Sequence, residues 1–140
     1  MTLTAACVAT LLCGQLTFAD ILPAPSAEKT GFEERLATLP PLEFTRNRPD
    51  LKMESLPVLD QIISHLQETP SVFLLEIGVH TDYRGSERIN RWLTQERAQT
   101  IADYMLMHGV ESGRIEYKGY GSSQPLIDKK TKSAREANRR

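Results

Sequence analysis

Few side chains in this sequence are of types that do chemistry, and their spacing narrows the options. His80 and Asp82 stand in one loop as two donors for a metal ion, but no third ligand follows at a suitable spacing. Asp82 with Glu87 or Glu96 offers the paired carboxylates of glycoside hydrolysis, yet that reaction needs one acid kept protonated by burial, and the loop supplies no obvious candidate. Ser86 has no histidine base at a recognisable spacing, so a hydrolase triad is not expected. Gly119-Tyr120-Gly121 is too short for a phosphate loop. His65 and His108 fall near helix ends and read as surface residues. Trp92 and Tyr120 could stack on sugars, but Trp92, on an apolar helix face, is expected in the core. No enzyme, metal or cofactor chemistry emerges from these residues.

The elements that must position these residues follow from periodicity. Leu42-Glu43-Phe44 alternates and predicts a short strand, followed by a loop over 45–50. Ser55 is a candidate cap for a helix with Pro57 in its first turn, and Leu56, Leu59, Ile62, Ile63 and Leu66 make one apolar face up to Pro70. Residues 72–79 are nearly continuous in apolar character and predict a buried central strand. After the loop 80–86 a second helix is expected, with a break at Leu93-Thr94. There Thr94 would act as a cap and Ala98, Ile101, Ala102, Met105 and Leu106 would be buried before Gly109. Ile115 and Tyr117 alternate with Glu116 and Lys118 in a third strand, and 131–140 is polar and helical in pattern. Strands alternating with helices of this length give an α/β class, with helices on one face of a small sheet.

The chain has 140 residues, enough for one domain, with 40% hydrophobic and 25% charged residues and a formal net charge of -1. A nucleic-acid partner would favour a far more basic chain and is not expected. Residues 1–19 resemble a secretory signal peptide, with Thr17-Phe18-Ala19 before the cleavage point, although no Lys or Arg follows Met1. A lipid anchor at Cys7 or Cys13 is the alternative. Residues 20–41, punctuated by Pro23, Pro25, Pro40 and Pro41, read as a linker.

Over 42–140 the sequence resembles the OmpA C-terminal domain family, also found in Pal lipoproteins and MotB motor proteins. The motifs occur in order: Leu42-Glu43-Phe44 with Asn47 and Leu51; Glu76-Ile77-Gly78-Val79-His80-Thr81-Asp82 with Gly85-Ser86; Asn90, Leu93-Thr94 and Arg97-Ala98; Gly109-Val110, Arg114-Ile115 and Gly119-Tyr120-Gly121 through Pro125; and Asn138-Arg139-Arg140. The resemblance implies a two-layer βαβαβ sandwich on a mixed sheet, with the family's final strand apparently missing after Arg140 and a neighbouring strand edge left open. Two departures stand out. Thr45 occupies a position where many members carry Asp or Asn, and Ala134 replaces a usual Gly.

The resemblance also implies non-covalent binding of peptidoglycan through the diaminopimelate of its stem peptide, in the periplasm, with an outer-membrane or other envelope protein as a further partner. Asp82 and Arg97 match the two principal ligand contacts. Their chemistry suits the role: an ionised carboxylate only accepts and can take an ammonium, while a planar guanidinium takes a carboxylate bidentately. With Thr94 as a cap, Arg97 would also lie beside free N–H groups that attract a carboxylate. Asn47, Thr81, Asn90 and Arg139 match positions near the ligand, and each has a structural reading beside it: a turn residue, a loop bond, a helix cap and an exposed charge. A mutual Asp82–Arg97 salt bridge is the bland alternative for the pair. A domain that kept the fold and lost wall binding is the alternative for the whole.

Overall fold

The computed structural model describes residues 2–6 and 27–140. The central strand, β2 (Leu74–His80), lies between β1 (Thr2–Ala6), antiparallel to it, and β3 (Ile115–Gly121), parallel to it. β2 owes its place to its pattern: Leu75, Ile77 and Val79 point into the core and are at most 3% exposed. Its parallel register with β3 slips at Val79/His80, where Val79 pairs with Gly119 and His80 with Gly121. That irregularity bends the sheet next to the loop carrying Asp82.

The chain contains four helices among the described residues: α1 (Ala27–Thr38), α2 (Leu56–Glu68), α3 (Glu87–Met107) and α4 (Lys132–Asn138). The apolar face predicted for α2 is buried as expected, through Leu59, Ile62, Ile63 and Leu66. On α3, Ala98, Ile101, Ala102 and Met105 meet the same core. Leu106, counted with them from the sequence, is 40% exposed. Each large aliphatic side chain buried this way contributes about 1.5–3 kcal/mol. The architecture is the expected α/β class, with helices packed on a small mixed sheet.

α3 lies unusually close to β3, and the residue identities show why. A methyl group on Gly119 would overlap the backbone nitrogen of Gln95 and stand 2.6 Å from the carbonyl carbon of Thr94. Gln95 Oε1 accepts from Gly119 N at 2.8 Å, and Thr94 Oγ1 accepts from Gly121 N at 2.9 Å. Two backbone donors of the outer strand are thus satisfied by helix side chains.

Several expectations are corrected. α3 is one unbroken helix, capped by Ser86, whose Oγ accepts from Ile89 N. Thr94 is not a cap; it is fully buried and donates back to the Asn90 carbonyl at 2.9 Å while clipping β3. Arg97 therefore sits mid-helix, where backbone N–H groups are already bonded and cannot attract an anion. Ser55 precedes α2 without a side-chain cap bond, because its hydroxyl bridges Glu43 N and O instead. Leu42–Phe44 contributes only a single bridge, Phe44 to Leu51, not a strand. The linker expected over 20–41 contains α1, whose Phe32 is 2% exposed in the core. The leader reading of residues 1–19 is not among these corrections: Thr2–Ala6 pairs with β2, and the cleavage point at Ala19, Cys7 and Cys13 lie outside the described residues. On the side away from β3, β2 pairs with β1, and beyond that pairing His80 N donates to the Arg140 carbonyl at 2.7 Å.

Candidate functional site

The loop between β2 and α3 is built around Asp82. Asp82 Oδ1 accepts from Arg84 N at 2.9 Å, closing an Asx turn, and lies 3.4 Å from Arg84 Nε. Its Oδ2 lies 3.7 Å from Arg139 Nε on the chain after α4. The residue is only 5% exposed, so these donors and cations offset the cost of a buried anion. Gly85, at φ +93, lets the loop reverse. Asn90 then locks it from α3: its Nδ2 donates to the Arg84 carbonyl at 2.9 Å and to that of Asp82 at 3.4 Å. Thr81 N donates to the Gly121 carbonyl at 2.9 Å and ties the loop to β3.

The opposite wall is cationic. Arg97 reaches from α3 to the loop after Phe44, donating from Nε to the Arg48 carbonyl at 3.0 Å and from Nη2 to that of Thr45 at 3.3 Å. Its guanidinium stands 4.7 Å above the Phe44 ring. Partial burial lowers its pKa from the ordinary guanidinium value. Nη1 takes part in neither carbonyl bond. The 45–50 loop is a turn closed by Thr45 N to Asp50 O at 2.8 Å, and Asn47 holds φ +57 within it.

All the residues expected from the sequence, Asn47, Thr81, Asp82, Asn90, Arg97 and Arg139, line one open groove of ≈ 1360 Å³. Asp82 and Arg97 share this groove but are held by other groups, so the mutual salt bridge is not how either is satisfied. Asn90 is 6% exposed and its amide nitrogen is occupied by the loop, which favours its structural reading. The Asn47 side chain is exposed and its backbone performs the turn, while Arg139 is exposed at the rim beside Asp82.

Sequence reasoning missed Arg84 and Phe44. Arg84 was accessible in principle, since an aspartate two residues before a turn donor is an Asx-turn signal. The stacking of Arg97 on Phe44 joins segments far apart in the chain and leaves no local trace. His80, just before the site, is buried and its pKa falls to about 4, first through desolvation and then through the nearby charge of Arg140, with Glu76 opposing. It stacks on Tyr120 with ring centres 4.7 Å apart.

The fold is that of OmpA-like α/β domains. It superimposes on the peptidoglycan-associated lipoprotein of Burkholderia pseudomallei with a TM-score of 0.62 at 20% identity, covering 82% of this chain and 90% of that one. It matches the cell wall anchor of the T6SS from Pseudomonas aeruginosa with a TM-score of 0.63 at 21% identity, covering 79% and 90%. The chain belongs to the OmpA family, whose model matches residues 43–139. Among curated relatives it is 32% identical over 105 residues to outer membrane protein A of Citrobacter freundii, covering 74% of this chain and 42% of that protein. It is 31% identical over 100 residues to outer membrane porin F of Pseudomonas aeruginosa, covering 71% and 28%. The chain thus spans less than half the length of these two relatives.

Proposed function

We propose that this domain binds peptidoglycan non-covalently and tethers an envelope component to the wall in the periplasm, without enzymatic activity. The ligand is the diaminopimelate of the stem peptide, whose ammonium meets Asp82 and whose carboxylate meets Arg97. The single observation that carries this reading is that the two opposite charges line one groove without pairing with each other. Each is held in place by other groups, so a ligand bearing both charges finds its partners already arranged. Arg139 at the rim places a second cation within reach of the ligand's carboxylates. Asn47 and Thr81 line the same groove as further contacts, and Asn90 acts by holding the loop. The names of the wall-associated lipoprotein and the cell wall anchor that share the fold support the same assignment.

Purified domain mixed with purified peptidoglycan should sediment with the wall. Removing either charge leaves its ligand counterpart unpaired, which costs about 2–4 kcal/mol, or roughly 30- to 1000-fold in affinity. Asp82→Ala and Arg97→Ala should therefore stay in the supernatant while retaining a folded circular-dichroism spectrum. Folded variants that sediment like wild type would remove the basis of the proposal, and release of soluble muropeptides would point to a hydrolase instead.

A further inference from the structure

The same groove has an apolar rim that the charged pair does not use. Trp92, expected in the core, is 56% exposed, and Ile89, one helical turn earlier, is 57% exposed. Both line the groove with Asp82 and Arg97, and they also flank a smaller apolar depression with Arg88. The helix beneath them is fixed by the Ser86 cap and by the Thr94 clip to β3, so these side chains stand on a rigid support. Two adjacent large apolar side chains left in water on such a support mark a contact surface.

We propose that Trp92, with Ile89 and Arg88 beside it, is a second subsite that stacks on a sugar ring of the glycan strand carrying the stem peptide. This inference rests on the wall-binding reading above. Trp92 and Arg97 border one continuous groove. They lie five positions apart on α3, about 7.5 Å along the helix axis and about 140° around it. Three or four extended residues cover about 10–14 Å, so a peptide held at Arg97 can lead around the helix and bring its glycan end to Trp92. A pyranose ring presents a C–H face and a polar rim, which fits an indole face beside a guanidinium donor better than a purely apolar partner does.

Trp92 is the only tryptophan in the chain, so its emission reports this position alone. Wild type is titrated with a disaccharide-peptide muropeptide and, separately, with the sugar-free stem peptide. The muropeptide should shift or quench the emission more than the stem peptide does. By calorimetry, Trp92→Ala should weaken muropeptide binding about 2- to 12-fold, the range for an aromatic stacking contact. It should leave stem-peptide affinity within twofold, and Trp92→Phe should recover part of the loss. Equal effects of Trp92→Ala on both ligands, or no effect on either, would overturn the subsite while leaving wall binding intact. If wild type binds neither ligand, the wall-binding reading falls and the subsite with it.

Discussion

The two walls of the groove are built to different standards. The anionic wall is buried and tied down from several directions: Asp82 is 5% exposed, its loop is bonded to β3 through Thr81 and locked by Asn90. The cationic wall rests on an exposed turn, with Arg97 held by two carbonyls and one aromatic ring. A charge this buried needs fixed donors around it, so its wall must be rigid. A guanidinium keeps its charge in almost any surroundings, so its wall can be looser. Under the proposed function, the position of the carboxylate would set recognition and the arginine side would adjust to the ligand.

The comparison breaks most severely where both walls share a support. Gly119→Ala places a methyl group against the α3 backbone, which no rotamer change relieves. The expected loss is about 3 kcal/mol or more, read as a large drop in thermal midpoint or as an insoluble product. Next comes acid. The pKa of His80 lies near 4 in the folded protein against 6.5 ordinarily, so between these values the unfolded chain takes up the proton first and stability falls as pH falls. The loss is roughly 3 kcal/mol at most and should be complete near pH 4. Thermal melts from pH 7 to pH 4 should show this decline for wild type and a shallower one for His80→Gln.

Smaller changes separate the walls themselves. Asn90→Ala removes the amide that holds the Asp82 loop and should cost about 1–3 kcal/mol in denaturant melts, because the buried Asp82 carbonyl and the part-buried Arg84 carbonyl lose their donor. Asn47→Ala strains only the left-handed turn residue and should cost about 1–2 kcal/mol, whereas Asn47→Gly should be close to neutral. If Asn47→Ala proves worse than Asn90→Ala, the ranking of rigid and loose walls is reversed.

Much of the scaffold was legible from the chain. The apolar run of β2 and the helical stripe of α2 follow from periodicity, because one buried face dominates each element. Asp82 and Arg97 were singled out by ordered motifs, and that they line one groove could not be read from spacing. Thr94 was misread because the residue type that caps a helix also bonds back within one. Only the approach of Gly121 N distinguishes the two. Trp92 was misplaced although the helical wheel held the answer: two residues before buried Thr94 is about 200° around the helix, away from the core. Phe32 reached the core from a proline-punctuated segment with no pattern strong enough to announce it.

The most direct test is a double-mutant cycle across ligand and protein. Wild type and Asp82→Asn are each titrated by calorimetry with meso-diaminopimelate stem peptide and with an analogue whose side-chain ammonium is replaced by hydrogen. The account predicts that wild type prefers the ammonium-bearing peptide by at least tenfold and that Asp82→Asn abolishes the preference. A preference of equal size in both proteins would contradict it, because the ammonium would then be recognised somewhere other than Asp82.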